Sequence, residues 1–161
     1  MYYAAYGSNM NLAQMAYRCP KSHVVRNAIL TGWKLVFNVH ADIIHTGKSS
    51  DSVPVVLWNI HKDDWKSLDM YEGYPTYYTM EAVLVDLEGE DFTQAVVYVM
   101  ADHRKGISVP TESYFNVILE GYEDNGIDTS PLYDALQYAE EHKTIYNQYN
   151  PKGGVKFAKK I

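Results

Sequence analysis

The sequence predicts an α+β domain, a small sheet flanked by helices, and three observations carry that expectation. Short apolar or alternating segments of strand length fall between residues 2 and 101; helical periodicity follows the first strand, interrupts the strands once near residue 65, and dominates after Pro110; and 47% hydrophobic residues in 161 are enough for one core. Strands gathered between helices argue against a doubly wound parallel sheet, and at least five strands suffice to close a small barrel. Residues 1–150 read as a single domain without repeat or linker, and residues 151–161 as a basic tail.

The elements follow in order. Residues 2–5 are a short apolar strand ending at Tyr6-Gly7-Ser8-Asn9. Leu12, Met15, Ala16 and Cys19 then recur at helical spacing until Pro20 stops them, and Asn9 or Asn11 is the expected cap because its side-chain oxygen can accept from a free backbone N–H. Trp33, Leu35, Phe37 and Val39 alternate with Lys34 and Asn38, which predicts a half-buried strand. Residues 40–52 are polar and rich in turn formers, so a mobile loop is expected before a strand at 53–60.

A short helix should begin near Lys62, with Asp63 and Asp64 in its first turn, where the macrodipole favours negative charge, and with Trp65, Leu68 and Tyr71 or Glu72 inward. Gly73 and Pro75 end it, and strands at 78–87 and 93–101 follow, joined by the acidic turn Glu88-Gly89-Glu90-Asp91. Pro110 introduces a helix carrying Tyr114, Val117, Ile118, Gly121 and Tyr122 on one face and ended by Gly126. Pro131 opens a last helix with Leu132, Ala135, Leu136 and Ala139 inward.

Charge removes whole classes of partner. The 14 Lys and Arg against 20 Asp and Glu leave a formal charge of −6, which provides no cationic field for nucleic acid or an anionic membrane. No apolar run approaches the roughly 20 residues that cross a bilayer. The single cysteine, Cys19, cannot form an internal disulfide, and no leader-like segment opens the chain, so a cytoplasmic protein is expected, with Cys19 a small buried filler. His40, Asp42 and His45 are discounted as metal ligands because steps of two and three along a strand end do not keep three side chains on one face. Lys152, Lys156, Lys159 and Lys160 read as part of a solvated tail. The 15 tyrosines suit a cavity lined by rings with polar tips.

Two features point to chemistry. Glu72 stands four residues after Leu68 and seven after Trp65, so its carboxyl falls on the apolar face of its helix, at the C-terminal end. Burial and the negative end of the helix dipole both oppose ionisation, which tunes a carboxyl for general acid and base work. A helix-end glutamate bonded to a loop N–H or a lysine is the structural alternative. The second feature is the Gly7 turn, where a strand running into a helix N-terminus leaves backbone N–H groups free to hold a carboxylate or an oxyanion, with Ser8 and Asn9 adding short polar side chains. It is too short for a dinucleotide fingerprint, and no lysine follows as a phosphate loop requires.

Tyr6-Gly7-Ser8-Asn9-Met10, then Arg18-Cys19-Pro20, then Leu68-Asp69 with Glu72-Gly73 and a following Tyr78, resemble the gamma-glutamylcyclotransferase-like (AIG2-like) family in order and spacing. The segment with Tyr114, Gly121 and Asn125-Gly126 extends the resemblance to roughly residues 2–126. The resemblance implies a mixed β-barrel flanked by helices, and an enzyme that converts a gamma-glutamyl amide to 5-oxoproline and releases the amine without metal or cofactor. It implies Glu72 as the catalytic acid and base, and Tyr6, Gly7, Ser8, Asn9, Met10, Tyr78 and Tyr114 around a small gamma-glutamyl substrate. The chain departs from the pattern at Thr79 and Met80, where a basic residue often follows the tyrosine, and at residues 48–52. The alternative is a non-catalytic barrel that binds a small acidic metabolite or a protein; an inward carboxylate at position 72 would repel the anion, which favours catalysis.

Overall fold

A computed structural model describes residues 1–89 and 91–143, and the backbone of 148–150 and 154–156. Five strands close a barrel: β1 (Tyr2–Ala5), β2 (His23–Thr31), β5 (Ser52–Asn59), β6 (Tyr78–Asp86) and β7 (Phe92–Met100), in the order β1-β5-β2-β6-β7. The seam is the parallel pairing of β1 with β7, Tyr2 opposite Ala95 and Tyr3 opposite Val96. All other barrel pairs are antiparallel, so the sheet is mixed. Ala4, Val55, Leu57 and Val97 are fully buried inside it, and β2 meets β6 at the single pair Ile29 opposite Asp86.

A separate hairpin of β3 (Trp33–Asn38) and β4 (His40–His45) lies across one side. Here the structure corrects the sequence reading twice. Residues 40–45 are a strand rather than part of a loop, because the polar Asp42 is fully buried with partners, accepting from the Met100 N–H and from Asn38 Nδ2 at 2.9 Å each. Val39 does not extend the inner face of β3; it is the half-exposed turn residue, at φ +68°. Strand β2 was not anticipated.

Among the described residues, four α-helices flank the sheets. α1 (Leu12–Arg18) is capped by Asn11, whose Oδ1 accepts from the Gln14 N–H at 3.0 Å. α2 (Trp65–Glu72) starts later than expected: Asp64 precedes it and accepts from the Lys21 N–H and the Ser22 hydroxyl at 2.9 and 2.8 Å, while Asp63 pairs with Lys21 Nζ at 2.6 Å. The two helices are joined where Ser67 Oγ donates to the Arg18 carbonyl at 2.7 Å. α3 (Glu112–Asp124), followed by Gly126 at φ +65°, presses on the turn after β1, and α4 (Ser130–His142) buries Leu132, Ala135 and Ala139. Gly121 permits that approach, since a Cβ there would stand 2.7 Å from the Asn11 nitrogen and 2.8 Å from the Met10 carbonyl carbon. Of the stretch read as a basic tail, Gly154–Lys156 forms β9 and pairs with β8 (Gln148–Asn150); its other residues lie outside those described. No helix among the described residues is long and apolar enough to cross a membrane.

Candidate active site

The loop after β1 is shaped by its neighbours. Tyr6 is buried and its hydroxyl donates to the Tyr98 carbonyl at 2.6 Å, fixing the end of β1 to β7. Gly7 lies so close to β4 that a Cβ would stand 3.2 Å from Ala41 Cβ. Ser8–Met10 is a single 3-10 turn, in which the Met10 and Asn11 N–H groups donate back to the Gly7 and Ser8 carbonyls at 3.0 and 3.1 Å. Those bonds leave the first N–H groups of the turn outside its internal ladder, available to an anion or an oxyanion.

Helix α2 delivers the carboxyl. Leu68 is fully buried, Trp65 partly so, and Glu72 on the same face reaches the Gly7 loop, where its Oε1 accepts from Asn9 Nδ2 at 2.8 Å. Gly73 at φ +64° ends the helix immediately afterwards, and a Cβ there would meet Tyr77 Cβ at 2.8 Å. Burial pushes the Glu72 carboxyl up to about 7, against the opposing influence of the Arg18 cation and of the Asn9 hydrogen bond. Near neutral pH such a group is about equally divided between acid and base.

Glu72 opens on a cavity of about 380 Å³ whose wall also includes Ser8, His40, Tyr71, Tyr77, Tyr78 and Tyr114. Past Ser8, Tyr78 and Tyr114 lies an inner recess of about 20 Å³, lined further by Tyr3, Tyr6, Gly7, Asn9 and Tyr98. Two tyrosines clamp the backbone of one residue: Tyr78 donates its hydroxyl to the Ala41 carbonyl at 2.7 Å, and the Ala41 N–H donates to the Tyr114 hydroxyl oxygen at 3.1 Å. The Tyr78 proton is therefore engaged, while the Tyr114 proton is free to point elsewhere. Burial raises the pKa of both well above the ordinary value, so both stay neutral. A larger hollow of about 470 Å³ between Trp33, Asp51 and α4 contains neither Glu72 nor the Gly7 turn.

The residues expected around the site converge there, with one exception. Tyr6, Gly7, Ser8, Asn9, Glu72, Tyr78 and Tyr114 all line the cavity or its recess. Met10 does not; it is fully buried behind the turn, against Gly121, and belongs to the core. Sequence reasoning missed His40 and Tyr77 and named Tyr71 only as an alternative to Glu72 on the inner face of its helix. His40 was weighed only as a metal ligand, yet the Val39 turn brings it to the cavity wall, with Nδ1 2.7 Å from the Tyr77 hydroxyl. Tyr71 is held by the Arg18 guanidinium, 3.5 Å from its ring centroid, and by Ser8 Oγ, 3.2 Å from its hydroxyl. No three His, Cys, Asp or Glu among the described residues are grouped to hold a metal. Cys19 is buried, and burial pushes its thiol up to about 11.

The fold and this site define a class of small closed barrels in which a loop after the first strand faces a helix-borne carboxyl. The sequence profile of the family described as gamma-glutamyl cyclotransferase, AIG2-like, matches residues 3–116, and the chain belongs to that family. Among solved structures, an uncharacterised human protein is 24% identical with a TM-score of 0.72, covering 83% of this chain and 85% of its own. A gamma-glutamyl cyclotransferase is 23% identical over the same shares, also with a TM-score of 0.72. YkqA from Bacillus subtilis is 20% identical with a TM-score of 0.70, covering 89% of this chain, which spans 55% of YkqA. At these identities the likeness concerns the fold. No curated protein sequence matches the chain significantly.

Proposed function

We propose that the protein is a gamma-glutamyl cyclotransferase, releasing an amine from a small gamma-glutamyl amide as the glutamyl part closes to 5-oxoproline. The observation that carries this reading is the Glu72 carboxyl, poised near neutral pKa on the cavity and pinned at 2.8 Å to the same loop whose Gly7, Ser8 and Asn9 N–H groups lie outside its internal bonds. Glu72 as the carboxylate takes one proton from the substrate's alpha-ammonium group. The neutral amine then attacks the gamma-carbonyl carbon, a ring C–N bond forms, and negative charge moves to the carbonyl oxygen, stabilised by N–H groups of Gly7, Ser8 and Asn9. As the amide C–N bond breaks, Glu72 gives its proton to the leaving nitrogen. The ring nitrogen loses its second proton to the same carboxylate, and the released amine takes it up as it becomes ammonium.

Because the nucleophile belongs to the substrate, the protein's main task is to fold the glutamyl chain end to end, and alignment of this kind contributes about 7–11 kcal/mol. Tyr114, whose proton is free, would donate to the substrate; Tyr78, whose proton is engaged, would form a wall. The reaction needs no metal or cofactor. The test is incubation with a panel of gamma-glutamyl amides and detection of 5-oxoproline by mass spectrometry. Wild type should form it and Glu72→Gln should be slower by about 100-fold or more. Absence of product across the panel would overturn the reading, and an equally active Glu72→Gln would overturn the role of Glu72.

A further inference from the structure

We propose that Arg18 is a positioning residue for Glu72: by donating to Asn9 Oδ1 it decides which end of that amide meets the carboxyl. The inference rests on the proton-transfer role given to Glu72 above. An asparagine amide carries an acceptor at one end and donors at the other, and either end fits the same space. A guanidinium only donates. With Arg18 Nη1 2.7 Å from Asn9, the end facing Arg18 must be the oxygen, and the NH₂ must face away. That NH₂ donates to Glu72 Oε1 at 2.8 Å and to the Tyr3 hydroxyl at 3.1 Å. Were the amide reversed, its oxygen would confront the carboxylate.

Arg18 is itself immobilised for this task. Its Nη2 donates to Gln14 Oε1 one helical turn back, its guanidinium covers the Tyr71 ring at 3.5 Å, and Tyr71 is bonded through its hydroxyl to Ser8. The path Ser8, Tyr71, Arg18, Asn9, Glu72 therefore runs from one residue of the cavity wall back to another, through α2 and α1. One carboxyl oxygen is pinned. Oε2 accepts from none of the described residues, so it is the oxygen left to take and give the proton.

The other ionisable groups around the carboxyl are Tyr3, Tyr6, Tyr77, Tyr78 and Tyr98 along the barrel, His40 in the hairpin, Tyr71 on its own helix and Tyr114 in α3. Burial raises Tyr3, Tyr6, Tyr77, Tyr78, Tyr98 and Tyr114 and lowers His40, so these are neutral at pH 7, and Asp69, on the same helix, is occupied by the Tyr98 hydroxyl at 2.5 Å. Arg18 is the permanent cation of the group, and it favours the ionised carboxyl. Its removal has two effects of one sign: the cation is lost and the amide is free to reverse, and both hold the Glu72 proton more tightly.

The experiment compares wild type, Arg18→Met, Arg18→Gln and Arg18→Lys by ¹³C NMR titration of the Glu72 carboxyl, which needs no substrate, and by kcat and KM from pH 5 to 9. In Arg18→Met the midpoint should rise by about one pH unit or more. Its kcat should fall about tenfold or more with KM nearly unchanged, and the acidic limb of the rate profile should move with the midpoint. Arg18→Lys, which also only donates, should restore the wild-type midpoint. A folded Arg18→Met with an unmoved midpoint overturns the proposal, as does a rate loss matched only by a loss of folded protein. If Arg18→Met does not fold, Arg18→Gln answers the same question. If wild type makes no 5-oxoproline, the catalytic reading falls, and the titration still decides whether Arg18 controls the carboxyl.

Discussion

The Tyr78 hydroxyl donates to the Ala41 carbonyl at 2.7 Å, so a side chain from the barrel holds the backbone of the hairpin strand that walls the cavity. The opposite arrangement at Tyr114, which accepts from the Ala41 N–H, keeps its proton available. Tyr114→Phe should therefore lower kcat/KM by about tenfold or more, whereas Tyr78→Phe should mainly cost stability, about 1 kcal/mol. Steady-state kinetics and urea denaturation of the two variants separate these outcomes; equal kinetic losses would show that the distinction between the two hydroxyls is wrong.

Glu72 also makes stability depend on pH. Its carboxyl ordinarily titrates near 4.5 and is raised to about 7 in the fold, so the folded protein holds the proton over a range where the unfolded chain has lost it. Ionising the carboxyl costs the folded state nothing extra below about pH 4.5 and the full penalty above about pH 7, on the order of 3 kcal/mol. Glu72→Gln should abolish this loss and be the more stable protein at pH 8, with the advantage shrinking as pH falls. Denaturant midpoints of both proteins from pH 4 to 8 check it, and parallel curves would contradict it.

Gly121 is the tightest contact between α3 and the loop. A Cβ there meets backbone atoms at 2.7–2.8 Å, which no rotamer change relieves. Gly121→Ala should destabilise the protein by about 1–3 kcal/mol despite the better helix propensity of alanine. A thermal midpoint equal to or above wild type would show that α3 yields without cost.

Where periodicity is clean, the sequence narrows the answer: the short first strand is legible, the cap is confined to Asn9 or Asn11 and the inward residue to Tyr71 or Glu72, because the side chains that decide them are neighbours in the chain. Strand β2 was not legible, since an irregularity between Val24 and Arg26 shifts its register against β5 and breaks the alternation. β4 reads as a loop because it opens a polar stretch rich in turn formers, Gly47, Ser49, Ser50 and Asp51, and the groups that satisfy its buried Asp42 include the backbone of Met100, far away in sequence. The site divides in the same way. The Gly7 turn and Glu72 were identified, but Met10 shares their motif and serves the core, whereas His40 and Tyr77 reach the cavity only through tertiary folding.

The seam between β1 and β7 bears on how the protein comes into being. The Tyr6–Asn9 loop precedes in the chain all of the partners that shape it, Ala41, Tyr98 and the α3 region, where Asn125 Nδ2 donates to the Met10 carbonyl at 2.8 Å. Contacts so distant in sequence form late. Half of the site therefore waits as an unpaired segment until α3 has been made, and a chain cut short before α3 should be silent rather than partly active.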